Sequence, residues 1–183
     1  MNYRINASSK GSKYPQDFSL PNPIIKYIIE KPSLPKAYNK LIQTCKYFFA
    51  TNPIFVVHCI HASENGQWKT CICKNGCQRP HERTQIITFE NPVVKLWITH
   101  KLAIWIPSPQ NLISVLTPKL YIFDIPHVVL HDQIIRYNDF KNLYFSTNFV
   151  LFKDVIVKYD DGRMLAFEEV QKTIDVTLFK HKM

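Results

Sequence analysis

Five cysteines and seven histidines are the side chains of this 183-residue chain best equipped for chemistry. Their densest group is Cys71-x-Cys73-x3-Cys77-x3-His81, with His58, Cys59 and His61 upstream. Thiolates and imidazoles around the Asn75-Gly76 turn are the donors of a tetrahedral zinc site, and a loop-rich insert would gain stability from one. The spacing weighs against it, because Cys-x-Cys is not the Cys-x2–4-Cys knuckle of structural zinc sites. The expectation is therefore reduced thiols in a hairpin and no metal. Cys71, Cys73, Cys77 and His81 are the positions a zinc ion would take. His58 and Cys59 lie in an apolar run that reads as core.

Catalytic chemistry finds little footing. Cys45 falls on the apolar stripe of a helix and reads as a small core residue. His127 and His131 flank a strand. Asp132, Asp139, Asp154, Asp160 and Asp161 recur in register, which suits turns and caps rather than an acid/base pair. No Ser-His-Asp set and no His-Glu-x-x-His motif is legible. The four glycines, Gly11, Gly66, Gly76 and Gly162, lack the spacing of a P-loop or a dinucleotide-binding turn. No catalytic residue and no cofactor are expected, and the chain does not read as an enzyme.

The net charge is +9, from 23 Lys and Arg against 14 Asp and Glu. Residues 1–50 hold eight basic side chains against Asp17 and Glu30. Such a surface suits an acidic partner or plain solvation. The lysines are scattered and form no nucleic-acid motif, so nucleic acid is not an expected partner. The hydrophobic share of 46% supports a buried core. The first twenty residues contain no apolar leader. The longest apolar stretch, Ile54 to Ala62, is far short of the roughly 18–20 residues of a spanning helix. The chain is expected to be soluble, in the cytoplasm or nucleus, with no membrane contact.

The elements follow from periodicity. Residues 1–17 are polar and aperiodic and read as a disordered tail. Asn22-Pro23 opens a helix whose Ile24, Ile25, Ile28 and Ile29 share a face. Ser33 and Pro35 start a second, with Ala37, Leu41, Cys45 and Phe49 recurring every four residues up to Asn52-Pro53. Residues 61–93 are polar, turn-rich and hairpin-like. From residue 94 short strand-like runs alternate with helix-like ones. There Leu130-x-Asp132-x-Ile134-Ile135-Arg136-Tyr137 matches Phe152-x-Asp154-x-Ile156-Val157-Lys158-Tyr159, 22 residues on. Helix candidates follow each passage, at Asp139–Leu143 and Leu165–Ile174, and a strand is expected at Val176–Phe179. A strand and a helix within this period is the arithmetic of a leucine-rich-repeat-like stack, with the two matched strands parallel.

Leu20-Pro21-x2-Ile24-Ile25-x2-Ile28-Ile29, the Ser33–Pro35 link and Leu41-x2-Thr44-Cys45-Lys46-x-Phe48-Phe49 together resemble an F-box. The remainder is similar to the companion region of a nematode-expanded group of F-box-like proteins with short leucine-rich-repeat-like C-terminal regions. The resemblance implies a mixed α/β chain with four parts. These are a tail at 1–17, an F-box-like helical module at 18–60, the Cys/His-containing insert at 61–93 and a leucine-rich-repeat-like domain at 94–183. It implies a substrate-recruiting adaptor of a cullin-RING ubiquitin ligase. The small adaptor subunit of the ligase would bind Leu20, Pro21, Ile24, Ile28, Leu41 and Phe49, and the repeat region would take an unknown protein substrate. Two other readings are a non-catalytic protein-binding repeat protein with a degenerate F-box and a small zinc-dependent nucleic-acid binder.

Overall fold

The computed structural model describes residues 21–63, 65–71, 84–89, 91–105 and 109–166. The expected tail, the helix end and strand beyond residue 166, Leu20, Cys73, Cys77 and His81 lie outside them.

Three short helices open the described chain. α1 spans Asn22–Glu30, with a proline in its first turn. Its Ile25 and Ile29, four residues apart, are buried. α2 spans Pro35–Thr44 and α3 Lys46–Thr51. The single helix expected from Ser33 to Asn52 is thus broken at Cys45, whose backbone is extended at φ −141°, ψ 113°. The break turns Phe48 into the cluster of Ile25 and Ile29, which Ile28, Leu41, Ile42 and Cys45 surround. On α2, Tyr38 rather than Ala37 is buried, against Ile54 and Trp97 of the sheet. Asn52 ties the three helices together. Its amide donates to the Ile29 carbonyl at 2.6 Å, and its own carbonyl accepts from the Tyr38 hydroxyl. Burial pushes that phenol up to about 12.

Eight strands follow. β1 is Ile54–Ala62, β2 Trp68–Cys71, β3 Thr84–Ile87, β4 Lys95–Ile104, β5 His127–His131, β6 Ile134–Arg136, β7 Phe149–Lys153 and β8 Ile156–Lys158. Six form one sheet in the order β3-β2-β1-β4-β5-β7, and β6 pairs with β8 separately. β1, β4, β5 and β7 run parallel, while β2 and β3 add an antiparallel edge. Leu96–Ile98 and Leu102–Ile104 both lie in β4. Leu120 contributes a single bridge to Leu96. The crossover after β4 carries α4, Leu112–Leu116, and a 3-10 turn, Thr117–Lys119. The crossover after β6 is α5, Tyr137–Phe145. Leu96, Ile98, Leu102, Ile104, Val128 and Leu130 pack with Ile113, Leu116, Phe140 and Leu143 into the main core.

The 22-residue register is present as strand pairing. Leu130 pairs with Phe152 and Ile134 with Ile156, both parallel, and the Tyr137 and Tyr159 rings sit 4.8 Å apart. Asp132 and Asp154 occupy equivalent corners in left-handed backbone, φ 51° and 55°. A short polar side chain tolerates that region better than a bulky one.

The architecture is nevertheless not F-box-like helices followed by a leucine-rich-repeat-like solenoid. In a solenoid each repeat touches only its neighbours, so strands line up in chain order. Here β1, straight after the helices, is an inner strand of the large sheet. The chain then turns back through β2 and β3 before β4 pairs with β1 on its other side. The fold is a mixed α/β sheet of six mostly parallel strands. The N-terminal helices pack onto it through Tyr38, and among the described residues a separate F-box bundle is not seen.

Candidate functional site

Parallel sheets are ordinarily covered on both faces. The face carrying Val128 and Leu130 is covered by α4 and α5. Alternation along β5 places His127, Val129 and His131 on the other face. Register extends this to the neighbours. Lys101 pairs with His127 and Ala103 with Val129; on the far side the partners are Phe149, Leu151 and Lys153. Continuing β4 by two residues adds Trp105, whose ring meets His131 at 5.7 Å and the Lys101 ammonium at 4.7 Å. Three rows result: Lys101–His127–Phe149, Ala103–Val129–Leu151 and Trp105–His131–Lys153.

In the middle row Ala103 and Val129 are buried and Leu151 is exposed, and the outer rows are rings and cations. Phe149, Leu151 and Trp105 are 50%, 42% and 42% exposed. The nine side chains include no carboxylate. His131 Nε2 is buried with no hydrogen-bond partner among the described residues. An apolar strip rimmed by donors and rings is the anatomy of a protein-contact surface.

A line of imidazoles leads into this face from β1. The His58 and His100 rings stack at 4.6 Å and 7°, His100 meets His127 edge-on at 4.8 Å, and His127 meets Phe149 at 5.8 Å. Burial holds the His100 imidazole below its ordinary value, and the neighbouring His58, His127 and Lys101 add like-charge repulsion.

The expected partner-binding residues divide by position. Pro21 and Ile24 are exposed on α1. Ile28 and Leu41 pack against the Ile25–Ile29–Phe48 cluster, and Phe49 is half-buried. Tyr27, Leu34 and Tyr47, which periodicity did not single out, are exposed apolar residues of the same segment at 64%, 65% and 41%. For Tyr27 a signal was available, since it stands between Ile25 and Ile28 off the stripe that Ile25 and Ile29 share. Of the expected thiols, Cys71 is corrected: it is buried and disulfide-bonded, so its sulfur is no thiolate ligand. His127 and His131, expected to flank a strand, are half-buried on this face.

No family model, no curated protein and no solved structure matches this chain.

Proposed function

We propose that the chain is a non-catalytic adaptor that holds a protein substrate on the sheet face bearing Trp105, Phe149 and Leu151 and presents it to a cullin-RING ubiquitin ligase. The observation that carries the first half is the three-row face, with Trp105, Phe149 and Leu151 exposed, Lys101 and Lys153 at its rim and no carboxylate among its nine side chains. It fits an extended acidic segment with one or two apolar side chains. Trp105, Phe149 and Leu151 take the apolar groups, while Lys101 and Lys153 meet the carboxylates.

The second half is supported by the N-terminal sequence pattern and by the exposed Ile24 and Tyr27 beside Pro21. These leave an apolar ridge for the small adaptor subunit. Among the described residues no helix is long and apolar enough to cross a membrane. The reading puts the protein in the cytoplasm or nucleus, where such ligases act. A disulfide at Cys71 is uncommon there. Gel filtration of the purified chain with the small adaptor subunit tests the docking half. A stable complex is expected, and it should be lost on Ile24→Asp. Separate elution of the two wild-type proteins would overturn it.

A further inference from the structure

Strand β4 carries one residue more than β1 between two pairs in register. Val57 pairs with Ile98 and Cys59 with Lys101, two steps against three. A bulge of this kind breaks alternation and re-aims side chains. On a regular strand His58 and Cys59 would point to opposite faces. Here a ring nitrogen of His58, the Cys59 sulfur and a ring nitrogen of His100 lie within 4.8 Å of one another. Cys59 is buried and both imidazoles are half-buried, so the three donors sit at the boundary between core and solvent.

We propose that His58, Cys59 and His100 form a binding site for a zinc-class divalent ion. Two imidazoles and one thiolate are a borderline-soft donor set, and the absence of a carboxylate among them disfavours calcium and magnesium. The surroundings already orient one ligand. Thr99 spends its only hydroxyl proton on the Val57 carbonyl, 3.2 Å away. Its oxygen then faces His58 Nδ1 at 3.5 Å as an acceptor. That contact favours the proton on Nδ1 and leaves Nε2 bare, the usual outer-shell arrangement of a metal-bound histidine. The stacked rings hold their in-plane lone pairs side by side, so loading turns one ring until both meet at the ion. His127, at 4.8 Å from His100, is the nearest further donor for a fourth position. This site is separate from the Cys71 group, and it does not depend on the adaptor reading.

The test is a titration of the metal-free full-length chain with Co2+ under argon, without added thiol. One Co2+ per chain is expected, with tetrahedral visible bands and a near-ultraviolet sulfur-to-cobalt band, and Zn2+ should displace it. Cys59→Ser should remove the near-ultraviolet band. His100→Gln should weaken binding by at least about tenfold, the scale on which even outer-shell changes act, and His127→Gln should weaken it less. Cys77→Ser should leave the spectrum unchanged. Absence of cobalt absorption overturns the site. So does a band that survives Cys59→Ser and disappears in Cys77→Ser. If the buried Cys59→Ser variant fails to fold, His100→Gln still decides, because unchanged affinity there refutes the assignment.

Discussion

Gln133 is buried among apolar neighbours, at 1% exposure, and its amide holds three backbone groups. Its Oε1 accepts from Ile113 N–H at 3.3 Å, and its Nε2 donates to the Pro109 carbonyl at 3.3 Å and the Asp132 carbonyl at 2.9 Å. Ile113 is the second residue of α4, so its N–H has no partner within the helix. The N-cap residue Asn111 makes no side-chain capping bond. Gln133, twenty positions away, therefore caps α4 and fastens it to the corner before β6. Gln133→Leu keeps the volume and removes all three bonds. Two backbone groups at a buried site then lose their partner, each worth about 1–3 kcal/mol. The apolar gain of leucine offsets part of this, leaving a loss of about 2–4 kcal/mol. With a urea slope of about 2 kcal/mol/M, the unfolding midpoint should fall by about 1–2 M. Urea unfolding followed by far-ultraviolet circular dichroism measures it. A midpoint shift below about 0.5 M with the slope unchanged would refute the capping role.

Two further predictions come from other sites. Burial raises the Asp139 carboxyl above its ordinary value, with Asp160 adding to the rise and the Thr117 hydroxyl and Arg136 partly opposing it. A raised folded value favours the protonated state, so that contribution is complete below about pH 4 and fades as pH rises. Asp139→Asn should therefore gain in melting temperature relative to the parent from about pH 4 to 7, and parallel profiles would contradict this. At Asp154, φ is 55°. Valine there should cost about 1–2 kcal/mol through left-handed strain while glycine is tolerated; equal urea midpoints for the two variants would be the contrary result.

Local pattern made the period legible and left the sheet order hidden. The match of Leu130, Ile134 and Tyr137 with Phe152, Ile156 and Tyr159 reflects real contacts, because side chains at equivalent positions of parallel neighbours must share volume. The same match carried no information about β1. The run from Ile54 to Ala62 is apolar enough to be core, but nothing in it says that β4, forty residues on, is its parallel partner. Long-range pairing is decided by collective burial, so the solenoid inference failed at the step from period to architecture. The break at Cys45 was missed for a related reason: the four-residue spacing of Ala37, Leu41, Cys45 and Phe49 is helical, yet burying Phe48 and Tyr38 together requires a turn between them. The histidine cluster was invisible because it rests on the long-range pairing of β1 with β4, which brings His100 beside His58 and Cys59. Gln133 left no pattern at all, since its role rests on Pro109 and Ile113.

The central claim is that the open face of the sheet is where a protein partner sits. A photo-crosslinking residue placed at Leu151, exposed on the edge strand β7 of that face, reads it directly. The same residue at Val115, 56% exposed on α4, serves as the control. In cells making the full-length chain, the Leu151 position should give a discrete adduct that disappears when Lys101 and Lys153 are both changed to Glu, and Val115 should give none. An adduct at Val115 without one at Leu151, or a Leu151 adduct indifferent to the charge reversal, would contradict the account.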